Sequence, residues 1–155
     1  MLESVQKLTE EFVEKDKAFL KDTEVLIREC FSEFFEKHSI AKSISWAQYI
    51  PSYADSEFNI YDSELRLIPS YEETILEAND KLNKKLGYCY GTNCAFSLLE
   101  GASEDLKIQS VFEDYDNLQY LFELEHSFKE IFGTYVLMIA SKDGIKVTDF
   151  YGKDY

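Results

Sequence analysis

An α+β fold is predicted, with an antiparallel sheet of about four strands arranged as two hairpins. The sheet packs with an N-terminal helix or helix pair and with an acidic helix in the C-terminal half. Three observations predict this. Residues 2–36 carry apolar side chains at three- and four-residue spacing, with no Gly or Pro among them. The stretch Ser43–Asp62 sets two alternating apolar runs around a polar turn and holds the only tryptophan, Trp46. Near the C-terminus an apolar run, Tyr135–Ala140, meets the turn signature Asp143-Gly144 before a partner strand, Ile145–Tyr151.

In the N-terminal segment, Leu2, Val5, Leu8 and Phe12 form one stripe, and Leu20, Ile27, Cys30, Phe31, Phe34 and Phe35 form a second. Between them Lys15-Asp16-Lys17 is polar and the stripe changes phase. Asp22 and Thr23 carry side-chain oxygens that accept the free N–H groups of a new helix start. The favoured reading is an early segment followed by a helix from about Thr23 to Lys37; one long bent helix is the other. Ile40, Ile44, Trp46 and Ile50 then alternate with Ser43, Ser45, Ala47 and Tyr49, the period of a half-buried strand, and Pro51 stops it. Residues 52–57 are the loop. The next strand starts at Phe58 and Ile60, and its apolar phase moves to Leu65 and Leu67 after Asp62, which predicts a bulge.

Pro69 opens the middle of the chain. Ser70–Leu86 has a helical pattern with acids early and lysines late, stopped by Gly87. Gly87–Gly101 reads as loop, with a short strand or turn near Cys94–Leu99. From Ser103 the pattern is helical again, with Leu118, Leu121, Phe122, Phe128, Ile131 and Phe132 on one face that ends at Gly133.

The 155 residues read as one globular domain: a helical segment, 1–37, and a sheet-and-helix body, 38–155. No apolar run reaches the length of a membrane span, and charges throughout residues 1–17 are unlike a signal peptide. Three cysteines, Cys30, Cys89 and Cys94, make no disulfide framework and are expected as reduced thiols in the cytoplasm. With 30 acidic against 16 basic residues the net charge is −14, which disfavours direct binding of a phosphate backbone.

The run Trp46-Ala-Gln48-Tyr49-Ile-Pro51, followed by Phe58-Asn-Ile60, resembles a small family of uncharacterised phage and bacterial proteins with a Trp-x-Gln-Tyr-x-Pro strand end. The closing segment, Ile131-Phe132-Gly133 with Asp143-Gly144-Ile145-Lys-Val147 and Tyr151, is similar to that family's C-terminal Asp-Gly hairpin. The resemblance covers roughly residues 40–68 and 128–155, and the loop 52–57 lacks the family's usual glycine. It implies a phage origin, hence the cytoplasm of a host cell, and a helix-plus-antiparallel-sheet fold. It transfers no activity and no site residue.

No catalytic residue, metal site or cofactor is assigned. Cys89 and Cys94 lie far in sequence from His38 and His126, whereas structural zinc takes four such ligands, usually in close pairs. Neither a nucleophile elbow nor a phosphate-cradling Gly-rich loop is present. Charge distribution is more informative. Residues 100–131 hold nine acids and two bases, so half of the net charge sits in about a fifth of the chain.

Two functional expectations follow. The first is a non-enzymatic phage protein that occupies a basic surface of a host protein, inhibiting or redirecting it, with carboxylates standing where a nucleic acid would place phosphates. Glu104, Asp105, Glu113, Asp114, Asp116 and Glu123 are its candidate contacts. The second is a small-molecule binder, of nucleotide-like ligands, with a pocket at Trp46, Gln48, Tyr49 and Tyr53. Arg28 and Arg66, the only arginines, are few for an anionic ligand. A small enzyme of unassigned class ranks third, and the oligomeric state is left open.

Overall fold

A single helix of 36 residues, α1 (Leu2–Lys37), runs through the position where a helix start was expected. The computed structural model describes residues 2–53, 55–73, 77, 80 and 106–150. Thr23 caps nothing: its hydroxyl donates back to the Phe19 carbonyl at 2.7 Å, the i−4 bond of a helix interior. Lys, Ala and Leu across 17–21 are good helix formers, so nothing local stops the winding. The phase change in the stripe marks a change of surroundings instead. Ile27, Phe31, Phe34 and Phe35 are buried, whereas residues 2–19 are exposed along their whole length.

The chain then forms β1 (Ala41–Tyr49) and β2 (Asn59–Leu67). A helical segment begins at 69–73, and residues 77 and 80 are also helical, consistent with the middle helix. The loop expected at 87–101 lies outside the described residues. The C-terminal half holds α2 (Leu106–Leu118), a 3₁₀ segment (Gln119–Glu123) and α3 (Glu125–Phe132). A hairpin of β3 (Val136–Ser141) and β4 (Gly144–Asp149) follows. The four strands make one antiparallel sheet of order β2-β1-β3-β4, so the two hairpins join where β1 pairs with β3. Fold class is therefore α+β, with two hairpins as expected. Among the described residues no helix is long and apolar enough to cross a membrane.

The bulge in β2 is present. Ser45 pairs with Glu64 and Ala47 with Tyr61, so Asp62 and Ser63 together stand opposite Trp46. Asp62 takes the left-handed conformation, φ 56°, which Asp tolerates better than most residues. The continuous helical face read over 118–132 is broken at Leu124. On one unbroken helix Phe122 and Phe128, six residues apart, would point about 120° apart. Tight winding and the break at Leu124 bring both rings onto Trp46, at 5.1 and 6.0 Å between centroids.

Trp46 is the centre of the core. Phe31 of α1 stacks on its ring at 5.2 Å, while Phe122 and Phe128 close the other sides. Ile44, Leu65, Met138 and Ala140 line the same face of the sheet and are buried. The body end of α1 packs across α2, α3 and the β3–β4 hairpin. Gly133 ends α3 at φ 114°, where a Cβ would meet Val136 Cγ1 at 3.2 Å, so the reversal into β3 needs glycine.

Candidate functional site

Helix α2 divides its side chains three ways. Ile108, Val111, Phe112 and Tyr115 face the core and are buried. Glu113 and Asp116 are exposed. Asp114 sits on the flank toward the end of α1, one turn from Leu118. The acidic run Glu113-Asp114-Asp116 is thus not one surface.

Asp114 is held internally. Its Oδ2 accepts from Lys37 Nζ at 2.7 Å and lies 2.6 Å from Nε2 of His38. His38 is 6% exposed and leans on the Phe34 ring at 5.0 Å. The hydrogen bond from Lys37, then the one from His38, hold the Asp114 carboxyl below its ordinary 3.8, against a smaller opposing effect of desolvation. A carboxyl with a depressed folded pKa stabilises the fold above its unfolded pKa, and that stability is lost as pH falls through the folded value. Asp114→Asn is therefore expected to lower Tm at pH 5–7, with the gap from the native chain closing as pH falls below 3.8. Thermal unfolding of both proteins across that range checks it; a gap that stays constant in acid would exclude the carboxylate as its source.

Beside this cluster a groove of about 540 Å³ runs between α1 and the α2–3₁₀ connection. Cys30, Phe34, Leu118, Leu121 and Leu124 form its apolar lining, and Glu33, Lys37 and Asp114 lie at its polar positions. The volume lies within the range of small-molecule pockets. Lys37, the one lining cation among the described residues, is already engaged by Asp114, so the groove favours an apolar occupant over an anionic nucleotide. A smaller hollow of about 270 Å³ on the other side of His38 is lined by Ile40, Lys107 and Ser110.

Catalytic groups do not converge here. Burial, followed by Glu33 and Glu29, raises the pKa of the Cys30 thiol, which keeps it protonated. Cys30 also precedes His38 by eight residues, about 12 Å along a helix axis, too far for a thiol–imidazole couple. Asp114 occupies Nε2 of His38, and among the described residues no hydroxyl hydrogen-bonds the ring. No group of three or more metal-ligating side chains gathers among the described residues.

Of the other expected acidic contacts, Glu123 is exposed on the 3₁₀ segment, while Glu104 and Asp105 lie outside the described residues. Glu113, Asp116 and Glu123 have no cationic side chain within 4 Å among the described residues. The residues of the expected small-molecule pocket are not brought together. Trp46 and Gln48 are interior: the indole Nε1 donates to Gln48 Oε1 at 2.9 Å, and Gln48 Nε2 donates to the Phe128 and Gly133 carbonyls at 3.1 and 2.8 Å. Their polar atoms are consumed. Tyr49 is buried on the opposite face of the sheet, stacked on Tyr61 at 4.4 Å, and Tyr53 is exposed in the loop. Sequence reasoning missed the Lys37–His38–Asp114 cluster because its members lie 76 residues apart with no local signal. Comparison with protein-family models, with curated proteins and with solved structures gives no match.

Proposed function

We propose that this chain is a non-enzymatic binding protein whose outer α2 surface docks on a basic surface of a partner protein. One observation carries the reading: Glu113 and Asp116, with Glu123 beyond them, face solvent without a cation among the described residues, while their neighbour Asp114 is neutralised internally. Carboxylates left unpaired contribute their full field to encounter. A partner surface that binds phosphates presents the complementary Lys and Arg. With the phage origin that the resemblance implies, that partner is a host protein and the outcome is its inhibition or redirection.

The test is capture from host lysate with the native chain and with Glu113→Lys/Asp116→Lys/Glu123→Lys. Asp114 is left native in this variant because it holds Lys37 and His38 in place. Charge reversal is expected to abolish capture, and Asp114→Asn to preserve it. A partner retained equally by the triple variant would reject the proposal.

A further inference from the structure

We infer that two copies of this chain associate through α1, antiparallel, each seating the N-terminal turns of its helix in the groove of the other. Leu2, Val5, Leu8, Phe12, Phe19 and Leu26 lie three, four or seven residues apart on one side of α1 and are 50–86% exposed. An uncovered apolar strip of this length exceeds the scattered hydrophobics of an ordinary monomer surface. The same side of the helix continues, four and seven residues beyond Leu26, into Cys30 and Glu33, the α1 wall of the groove. One end of the helix thus offers apolar side chains without a seat, and the other end offers an apolar seat without side chains.

Antiparallel pairing about Phe19 resolves both at once. It sets Phe19 against its own copy, Leu8 opposite Cys30, and Val5 opposite Glu33 at the groove, since each pair is symmetric about residue 19. The contact is isologous and closed. Antiparallel helices also hold the two acidic bodies at opposite ends of a helix about 54 Å long, far beyond a Debye length of about 8 Å. Parallel pairing would set the bodies side by side and leave both grooves empty. Two aromatic rings per strip, each with about 150–250 Å² to bury, together with the aliphatic side chains and the groove walls, reach the order of 1,600 Å² that stable interfaces bury. Residues 2–22 carry six acids against four lysines, which disfavours an anionic membrane or a nucleic acid as the occupant.

The full chain, under reducing conditions, is expected to sediment as a dimer at micromolar concentrations. Phe12→Asp and Phe19→Asp change exposed positions outside the core and are expected to weaken association at least about thirty-fold, with the melting of the body retained. Geometry is read separately in a Cys89→Ser/Cys94→Ser background carrying Leu8→Cys. Mild oxidation is expected to join position 8 of one copy to Cys30 of the other, which requires their Cα atoms within about 7 Å. A native chain that stays monomeric would overturn the inference. So would a dimer indifferent to both aspartate substitutions, or a cross-link from position 8 only to position 8.

Discussion

Gln48→Leu is expected to destabilise the protein by about 3 kcal/mol or more, although leucine nearly matches glutamine in volume. The glutamine is fully buried and spends its amide on three groups from separate parts of the chain. Its oxygen accepts from the Trp46 indole, while its nitrogen serves the Phe128 carbonyl in α3 and the Gly133 carbonyl at the entry to β3. Leucine removes every partner at once, leaving one buried donor and two carbonyls short of a bond. Each orphaned buried group costs about 1–3 kcal/mol. Trp46→Phe deletes the N–H together with part of the indole ring, so its own cost includes a cavity among Phe31, Phe122 and Phe128 as well as the lost donor. In that background Gln48→Leu should be milder, because one of its three losses has already occurred. Urea unfolding of the four proteins of this cycle measures both terms. A loss under about 1 kcal/mol for Gln48→Leu would show that water or backbone adjustment replaces the bracket.

Association with a captured partner is expected to slow by an order of magnitude or more between low salt and physiological salt, if the outer α2 face steers encounter. Opposite fields act at range only within the Debye length, which shrinks from about 30 Å at 0.01 M to about 8 Å at 0.15 M. Dissociation, set by short-range contacts, should change much less. Glu113→Lys/Asp116→Lys/Glu123→Lys should flatten the slope, whereas Asp114→Asn, a change of one charge against six, should alter it far less. The measurement is a kinetic binding series at several salt concentrations. A native on-rate independent of salt would remove the acidic face from the mechanism, as would equal slopes in native and triple-variant proteins.

What the linear order of residues carried by itself was every feature set by neighbours along the chain. Alternation across Ile44, Trp46 and Leu65, Leu67 placed two strands, the phase slip after Asp62 placed the bulge, and Gly133 placed the end of α3. These are decided by side-chain period and by backbone conformations open to few residue types. Polar patterning around Lys15–Thr23 misled for the same reason: it reported a change in what the helix faces, where a change in backbone was read. Charge asymmetry was legible too, because composition needs no coordinates.

Tertiary structure alone decided which acids are free. Glu113, Asp114 and Asp116 look alike in sequence, yet helix geometry turns the middle one toward Lys37 and His38, whose position depends on α1 crossing α2. It alone made Gln48 an internal bracket instead of a lining residue of a small-molecule pocket, because its partners arrive from 80 and 85 residues away. It also left the first turns of α1 bare while covering the last ones. A stripe of apolar side chains states that something will be buried, but not against what. That choice belongs to the whole fold: α2, α3 and the β3–β4 hairpin reach only the body end of α1, and beyond it the stripe meets solvent.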